Sequence, residues 1–390
     1  MGHRITCWPM PGKGSGVACL SPHWGNMCRR ASRTRLLFSP TKGCPVRYRK
    51  LGNTGLIVSE MCLGAMTFGS GDGMWATVAG VSQDGVTDLI KSAFDKGINF
   101  IDTADFYSNG RSEVVTGNSL KQLGLARDQY VLATKVLLRM GPGHNQIGLS
   151  RYHIMENINA SLKRLQVDHI DLYQIHGRDP FTPLEETLDA LDDCVRAGKV
   201  RYIGLCNLSA WEIMKSQWIS DKRNLARFES LQMYYSLAGR DIEREIVPLA
   251  KDQNLAILPW SPLAGGFLSG KYSRENEKPD GARRAKLDFP PVERERLWRI
   301  LDVLRPIAAD NLVSVAQVAL AWLLARPHVT SVIIGAKNPE QLLDNIAATE
   351  LRLSAEQFAA IDEASKLPNE YPQWMLERQS ADRLGQVLAG

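Results

Sequence analysis

The chain has 390 residues, of which 44% are apolar and 23% charged, an ordinary composition for a globular protein with a large core. No apolar run approaches the ~18 residues that a membrane-spanning helix requires, so we expect no membrane span. The net charge of +5 arises in residues 1–45, which hold seven basic side chains and no acid. Without them the chain carries 40 basic against 42 acidic residues, a net charge of −2. The body of the protein is therefore not expected to bind nucleic acid.

Residues 1–45 form a basic leader that is rich in glycine, proline and serine and lacks apolar periodicity. Three interpretations remain open. The leader is an upstream extension expected to be disordered, an organellar targeting segment of the arginine- and serine-rich kind, or a segment with another function. Four of the seven cysteines lie in it, which leaves Cys62, Cys194 and Cys206 in the body. So sparse a set is typical of a reduced, cytoplasmic protein rather than of a disulfide framework.

The body begins with a predicted β-hairpin, in which 47–51 and 56–59 flank the turn sequence GNTG at 52–55. Short apolar runs that are typical of strands then alternate with amphipathic helical stretches. The predicted strands lie near 62–66, 100–103, 131–136, 170–176, 202–207, 228–233, 256–261 and 332–335. Eight strands in this alternation predict an α/β protein, a single (β/α)8 TIM barrel over residues 46–390.

Helices are predicted between these strands, for example over 87–96 and 187–197, where apolar side chains recur at helical spacing. The connection between the seventh and eighth barrel strands is much longer than the others. It holds a loop at 263–289 that is rich in glycine, lysine, arginine and proline, and then two extra helices, 292–309 and 314–325. A loop of this length usually has a function, and its basic residues indicate that it holds a phosphorylated cofactor.

Four reactive side chains lie at or just beyond the ends of predicted strands: Asp102, Tyr107, Lys135 and His176. If these strands are parallel neighbours, all four meet at the carboxyl-end rim of the barrel, where such folds hold their chemistry. A tyrosine alone is a poor acid at neutral pH because its pKa is near ~10, and a nearby ammonium lowers that pKa. We expect Lys135 to activate Tyr107, and Asp102 to keep Lys135 charged and aimed. With His176 orienting a carbonyl group, the arrangement protonates a developing alkoxide, as carbonyl reduction by hydride transfer requires.

Several separated motifs resemble those of the aldo-keto reductases, and they occur in that family's order. They are GINFIDTA at 97–104 with Tyr107, Lys135, His176, GLCN at 204–207, Gln232, WSPL at 260–263 and the segment 335–345. The resemblance runs from about Val46 to the C-terminal end. The chain resembles the bacterial-type branch of the family. In the cofactor region it also closely resembles the reductases that are similar to potassium-channel β-subunits. The resemblance implies that Asp102, Tyr107, Lys135 and His176 form a catalytic tetrad with Tyr107 as the acid/base, and that the hairpin caps the bottom of the barrel.

The implied activity is the reduction of small aldehydes or ketones to alcohols, or the reverse reaction, with NADP(H) as the cofactor. No Gly-x-Gly-x-x-Gly loop follows the first strands, so a Rossmann domain is not expected. Instead, Asn338-Pro339-Glu340 is a typical helix start, and Lys337 precedes it. A helix N-terminus binds anions, so this end suits a 2′-phosphate, although a plain surface cap would have the same sequence.

The resemblance then assigns cofactor-binding residues. Asn207 and Gln232 would bind the nicotinamide carboxamide, Trp260 would stack on its ring, and the segment after Trp260 would follow the pyrophosphate. The full set is Met66, Asp102, Asn207, Gln232, Trp260, Ser261, Pro262, Leu263, Gly265, Lys271, Arg284, Gly335, Lys337, Gln341, Asp344 and Asn345.

The substrate pocket is predicted to be partly apolar, with lining from the loop 137–149 and from Phe68, Trp75, Phe106 and Leu137. Two positions depart from the family pattern. His176 is followed by Gly177-Arg178 rather than by the aromatic residue of many sugar-reducing relatives, and Cys206 stands where many relatives carry serine. The motifs name no individual substrate, reaction direction or oligomeric state.

Two other functions remain open. The first is a non-catalytic or redox-sensing regulatory subunit, because potassium-channel β-subunits share the Trp-Ser-Pro-Leu pattern and a basic leader is reminiscent of channel-blocking segments. Those subunits carry asparagine where this chain has His176, which favours an enzyme. A metal-dependent barrel hydrolase is disfavoured, because no His-x-His pair stands at a strand end.

Overall fold

The structure, a computed structural model, describes residues 46–279, 284 and 287–388. The predictions for the leader fall on residues 1–45 and so lie outside the described residues.

The described chain opens with the predicted hairpin. Strands β1 (Tyr48–Lys50) and β2 (Ile57–Ser59) pair antiparallel, with Tyr48 opposite Ser59. Leu51 lies at the turn end of this hairpin and is fully buried. It belongs to an apolar cluster with residues from the first halves of the barrel strands, such as Cys62 and Phe100. The hairpin therefore closes the amino end of the barrel, as predicted.

Eight parallel strands follow and form a nearly closed barrel, which confirms the predicted fold. They are β3 (Met61–Gly64), β4 (Phe100–Asp102), β5 (Val131–Val136), β6 (Ile170–Ile175), β7 (Val200–Cys206), β8 (Phe228–Tyr234), β9 (Ala256–Trp260) and β10 (Val332–Ile334). Neighbours in sequence are neighbours in the sheet, and β10 returns to pair with β3. Between β9 and β10 the barrel closes through one parallel bridge, Ile257 to Val329, beside a 2.9 Å bond from the Thr330 N–H to the Ile257 carbonyl.

The helices cover the outside of this barrel and extend it. They are α1 (Trp75–Val78), α2 (Gln83–Asp95), α3 (Arg111–Gln122), α4 (Arg151–Leu165), α5 (Leu184–Arg196), α6 (Ala210–Arg223), α7 (Ile246–Gln253), α8 (Arg294–Asp310), α9 (Val315–Leu324), α10 (Pro339–Ala347), α11 (Ala355–Ser365) and α12 (Gln373–Leu388). Helix α2 begins four residues before its predicted start, because Ser82 caps a polar first turn that carries no apolar periodicity. The two extra helices predicted after the seventh barrel strand are confirmed as α8 and α9.

Within the described ranges, no single helix is long and apolar enough to cross a membrane; α8 and α9 pass that test only jointly, with a 100° bend between them.

Candidate active site

The barrel brings the four predicted reactive residues to one rim. Asp102 ends β4, Lys135 is the penultimate residue of β5, and His176 follows β6 directly. Tyr107 lies five residues beyond the end of β4, at the start of the turn Tyr107–Gly110, in which Ser108 (φ 50°) and Asn109 (φ 54°) have left-handed backbone conformations. Because β4, β5 and β6 are successive parallel neighbours, their carboxyl ends coincide, and the predicted convergence is confirmed.

Asp102 and Lys135 form the buried ion pair that the sequence predicted. The Lys135 Nζ lies 2.6 Å from Asp102 Oδ2, 2.8 Å from the Thr103 carbonyl oxygen and 3.3 Å from the Tyr107 hydroxyl oxygen. These three acceptors match the three N–H bonds of an ammonium group. Lys135 is fully buried, so its position is held by this network and not by solvent.

Two amides hold the other oxygen of the carboxylate. Asp102 Oδ1 accepts from Gln174 Nε2 at 3.0 Å and from Gln232 Nε2 at 2.9 Å. Gln232 was predicted as a cofactor residue and supports Asp102 as well. Gln174 was missed, although its position two residues before His176 on β6 indicates the same face of the strand.

The pKa of Tyr107 differs from the expectation. Burial raises the pKa of Tyr107, the Lys135 ammonium offsets part of that rise, and the result is a pKa of about 12. Burial also acts to lower the pKa of Lys135, but Asp102 and then Tyr107 raise it above its ordinary value. Lys135 therefore stays charged and Tyr107 keeps its proton at neutral pH; the expected drop in the tyrosine pKa is wrong because desolvation outweighs the charge.

His176 is a neutral neighbour of the phenol. Its ring lies edge-on to that of Tyr107, with centroids 5.8 Å apart and planes at 74°. Burial, and secondarily the Lys135 ammonium, lower the pKa of His176 to about 3. At neutral pH the ring is uncharged, and one of its nitrogens carries a proton that can be donated to an oxygen.

Asp102, Tyr107, His176 and Gln232 form part of the wall of a cleft of about 640 Å³, whereas fully buried Lys135 does not line it. Most of the predicted cofactor residues line it: Met66, Asp102, Asn207, Gln232, Trp260, Ser261, Pro262, Leu263, Gly265, Lys271, Gly335, Lys337, Gln341, Asp344 and Asn345. Trp75 and Phe106, the residues predicted for the substrate pocket, also line this cleft beside Tyr107.

Three predicted residues lie elsewhere. The Arg284 guanidinium is buried and donates to the carbonyls of Ala264 and Pro290 and to Asp288, so it ties the long loop together. Phe68 is fully buried in the main core, where its backbone forms a bridge with Val81.

Leu137 packs against the main core, and Leu138 lines the cleft in its place. Because β5 ends at Val136, strand alternation no longer decides which of the two side chains faces the rim. Arg178, which follows His176 and Gly177, pairs with Glu212 at 2.8 Å.

An aromatic shelf lies on the same rim, at the carboxyl end of β9. Trp260 donates through Nε1 to Asn207 Oδ1 at 2.9 Å, and Asn207 donates through Nδ2 to the His176 carbonyl at 3.2 Å. Phe289 stacks on Trp260 with centroids 5.7 Å apart and planes at 11°. Sequence reasoning missed Phe289, because nothing local in the long loop distinguishes it.

The far end of the cleft is suited to anions. Asn338 caps α10 by accepting from the Gln341 N–H at 2.9 Å, and exposed Lys337 precedes the cap. Asp344 accepts from Ser314 Oγ at 2.9 Å and Gln317 Nε2 at 2.6 Å, so its carboxylate is held by the start of α9.

Between the two ends, the backbone turns through left-handed conformations at Ser261 (φ 50°), Ala264 (φ 51°) and Gly265 (φ 65°). Three N–H groups of this turn already have acceptors within it: Ala264 donates to the Ser261 carbonyl at 2.8 Å, Gly265 to Ser261 Oγ at 2.9 Å and Gly266 to the Leu263 carbonyl at 2.9 Å. The cleft thus offers an aromatic face, amide partners, Lys271 and a second lysine beside a helix N-terminus, which together fit a phosphorylated dinucleotide.

Comparison with known proteins agrees with this architecture. The profile of the Aldo/keto reductase family matches residues 60–366. An uncharacterized oxidoreductase of Bacillus subtilis is 40% identical, over 80% of this chain and 93% of its own length. A putative voltage-gated potassium channel subunit beta of Schizosaccharomyces pombe is 36% identical (82% and 93%), and a putative aryl-alcohol dehydrogenase of Saccharomyces cerevisiae 34% (82% and 97%). The chain belongs to the aldo/keto reductase family of oxidoreductases.

Proposed function

We propose that this protein is an NADP(H)-dependent reductase that converts aldehydes or ketones to alcohols and also catalyses the reverse reaction. The observation that carries the proposal is the position of the Tyr107 hydroxyl. It lies 3.3 Å from the Lys135 ammonium and lines the same cleft as the proposed cofactor residues. A protonated phenol beside a fixed cation is the acid that a developing alkoxide needs.

The residues of the rim divide the acid step between them. When bound, NADPH supplies the hydride to the carbonyl carbon. Tyr107 donates its hydroxyl proton to the carbonyl oxygen as negative charge develops there. The phenolate that remains faces the Lys135 ammonium, which stabilises it, and Asp102 keeps that ammonium charged. Neutral His176 donates a second hydrogen bond to the same oxygen.

The hydrogen bonds already present within the site limit which atoms can contact the cofactor. The Gln232 amide N–H2 is used on Asp102, so we assign its carbonyl oxygen to the nicotinamide carboxamide. Asn207 accepts a hydrogen bond from Trp260 and donates one to the His176 carbonyl. We therefore assign to Asn207 the role of orienting the Trp260 ring. Lys337 and the N-terminus of α10 are assigned to the 2′-phosphate, and Lys271, which lines the cleft with the segment 261–266, is assigned to the pyrophosphate.

The substrate end favours uncharged molecules. Tyr107 belongs to a small buried apolar cluster with Trp75 and Val78, and Met66, Phe106 and Leu287 pack against it. Among the described lining residues, the charged ones other than Asp102 are Lys271, Lys337 and Asp344, which belong to the anion end. An aryl or alkyl carbonyl compound without a carboxylate fits this end, and the relative named as an aryl-alcohol dehydrogenase supports this class.

The cysteines support a cytoplasmic location. Cys62, Cys194 and Cys206 are free and buried in the described part of the chain. Proteins that keep their thiols reduced are typical of the cytosol, so we propose that this chain functions there.

A panel of aldehydes and ketones tests the function. Turnover is followed at the nicotinamide absorbance with NADPH and with NADH, and benzaldehyde is compared with 4-carboxybenzaldehyde as a matched charged substrate. We expect turnover with NADPH and a preference for the uncharged member. Binding of cofactor without turnover of any carbonyl compound contradicts the enzyme proposal.

That contrary outcome favours the second candidate, a regulatory subunit. Its supporting observation is the similarity to the potassium channel subunit beta of Schizosaccharomyces pombe. The complete group of Asp102, Tyr107, Lys135 and His176 in one network favours the enzyme.

A further inference from the structure

The turn that carries Tyr107 has an unfavourable backbone conformation. Ser108, Asn109 and Gly110 have φ values of 50°, 54° and 86°, so three successive residues lie in the left-handed region. Such a conformation is unfavourable for a residue like serine and persists only where the surrounding structure enforces it. Other parts of the fold must therefore hold this turn, and with it the Tyr107 side chain, in place.

One face of α4 lies against this turn. Asn157, Ser161 and Arg164 are spaced at i, i+4 and i+7, on one side of the helix. Asn157 Nδ2 donates to Asp105 Oδ2 at 2.6 Å, just before the turn begins. Arg164 packs against the last residue of the turn, since a Cβ added at Gly110 would lie 3.0 Å from Arg164 Cδ. Helix α4 thus contacts the chain on both sides of the phenol.

A buried ion pair connects this face of α4 to the helix that follows the turn. The Arg164 guanidinium donates through Nε to Glu113 Oε2 at 2.6 Å and through its NH2 group to Ser161 Oγ at 3.1 Å. Glu113 lies in the first turn of α3 and is fully buried, and its Oε1 accepts from Thr134 Oγ1 at 2.5 Å. Thr134 directly precedes Lys135 on β5. The pair therefore joins the start of α3 to the strand that holds the ammonium partner of the phenol.

We propose that Glu113 and Arg164 are positioning residues for Tyr107, an inference that rests on the proposed role of this tyrosine as the acid. Neither side chain is among the described residues that line the cleft, so the pair acts through the turn and not on substrate or cofactor. The other buried acid beside the pair, Asp105, keeps its proton at pH 7 because burial raises its pKa to about 8. Asp105 therefore does not compete with Glu113 for the arginine. Without the pair the turn relaxes, and the Tyr107 hydroxyl moves away from the Lys135 ammonium.

A similar ion pair at the other end of the barrel provides a matched control. Arg127 NH2 lies 2.5 Å from Asp171 Oδ2, and the Arg127 side chain is 24% exposed against 22% for Arg164. Asp171 is the second residue of β6 and accepts from the Leu132 N–H at 2.7 Å, so this pair holds the amino ends of two strands, away from the rim. Arg164→Met and Arg127→Met each leave one carboxylate without its arginine. We therefore expect similar losses of melting temperature in the two variants.

Kinetics and amide hydrogen exchange on the full-length protein separate positioning from stability. We expect Arg164→Met to lower kcat ~10-fold or more with little change in KM, because a displacement of ~1 Å at a reacting group can cost ~10²-fold. Peptides that cover 103–112 should exchange faster in this variant, whereas Arg127→Met should change neither kcat nor that exchange. Equal kcat in the two variants, or equal exchange over 103–112, overturns the proposal. The exchange comparison needs no turnover, so it still decides the inference if the wild type reduces no carbonyl compound and the proposed function fails.

A second variant tests whether the two residues act as a pair. Glu113→Gln preserves the shape of the side chain but presents an uncharged amide to Arg164, so kcat should fall here too. Because the change is nearly isosteric, it also serves if Arg164→Met is too unstable to purify. The double variant Glu113→Gln/Arg164→Met should lose no more activity than the more severe single variant, because both changes remove the same contact. A double variant whose loss equals the product of the two single losses overturns the assignment to this pair.

Discussion

The two ends of the cleft hold their lysines in opposite ways. Lys135 is fully buried and bonded to three acceptors, two of them in the segment at the end of β4. Lys337 is exposed on the loop after β10, and its backbone N–H bonds the side chain of Gln341 at 3.0 Å. The reacting end is thus preorganised in a medium of low dielectric, where each contact is strong. The anion end attracts negative charge through an exposed lysine and a helix N-terminus, and salt weakens this attraction.

The largest effect is expected when the buried pair is broken. Asp102→Ala or Lys135→Ala leaves one unpaired charge in the barrel and should lower the free energy of unfolding by ~3–5 kcal/mol, with loss of activity. The double variant Asp102→Ala/Lys135→Ala should lose less than the two singles combined, because no orphan charge remains. Denaturant titration measures all three. Additive losses would contradict a coupled pair.

Removing only the phenol oxygen of Tyr107 tests the proton transfer at the reacting end of the cleft. In Tyr107→Phe the ring keeps its edge contacts with Trp75 and His176, 5.9 Å and 5.8 Å between centroids. We expect kcat to fall ~10²-fold or more while cofactor affinity, followed by tryptophan fluorescence, stays unchanged. Turnover near the wild-type value would remove Tyr107 from the role of acid.

Asp105 offers a buried acid near Asp102 that has no lysine partner. Burial, and secondarily Glu113, raise the pKa of Asp105 from 3.8 to about 8. The folded state then binds one more proton than the unfolded state between these values, so Asp105 should make stability fall as pH rises from 3.8 to about 8.

Asp105→Asn should reduce this decline, because a side-chain amide does not titrate. The variant should keep the local packing, because Asn157 Nδ2, which donates to Asp105 Oδ2 at 2.6 Å, still finds an oxygen acceptor. The free energy of unfolding, measured for wild type and variant across this pH range, tests this prediction. Identical pH profiles for wild type and variant would rule out the buried acid as the cause.

A smaller effect is expected at the anion end. Lys337→Ala should weaken NADP(H) binding about 10-fold, the value of one charge-assisted hydrogen bond of ~1.5 kcal/mol. Binding of NAD(H), which lacks the 2′-phosphate, should barely change and serves as the internal control. The preference should also shrink at high salt. Equal wild-type affinities for the two cofactors would contradict the assignment.

No effect is expected from deleting residues 1–45. The leader lacks apolar periodicity, so it has little surface with which to offset its own ordering entropy. Activity and melting temperature of the truncated chain should equal those of the full chain. A marked loss of either would show that the leader takes part in the fold.

Much of the site was predictable because strand ends are local features. The runs before Asp102, Lys135 and His176 are apolar and short, and in a parallel barrel all such runs end at one rim. The helix cap at Asn338 is also a local signal, and the structure confirms it. Local pattern therefore determined the element order, the barrel and the convergence of the four reactive side chains.

Tertiary structure alone decided how those groups behave. Asp102 is held by Gln174 and Gln232, which lie 72 and 130 residues away along the chain. The high pKa of Tyr107 comes from desolvation by burial, which outweighs the Lys135 charge that the sequence suggested. The burial of Arg284, and the presence of Leu138 rather than Leu137 in the wall of the cleft, also depend on the tertiary structure. Burial sums contributions from the whole fold, so no local pattern contains it.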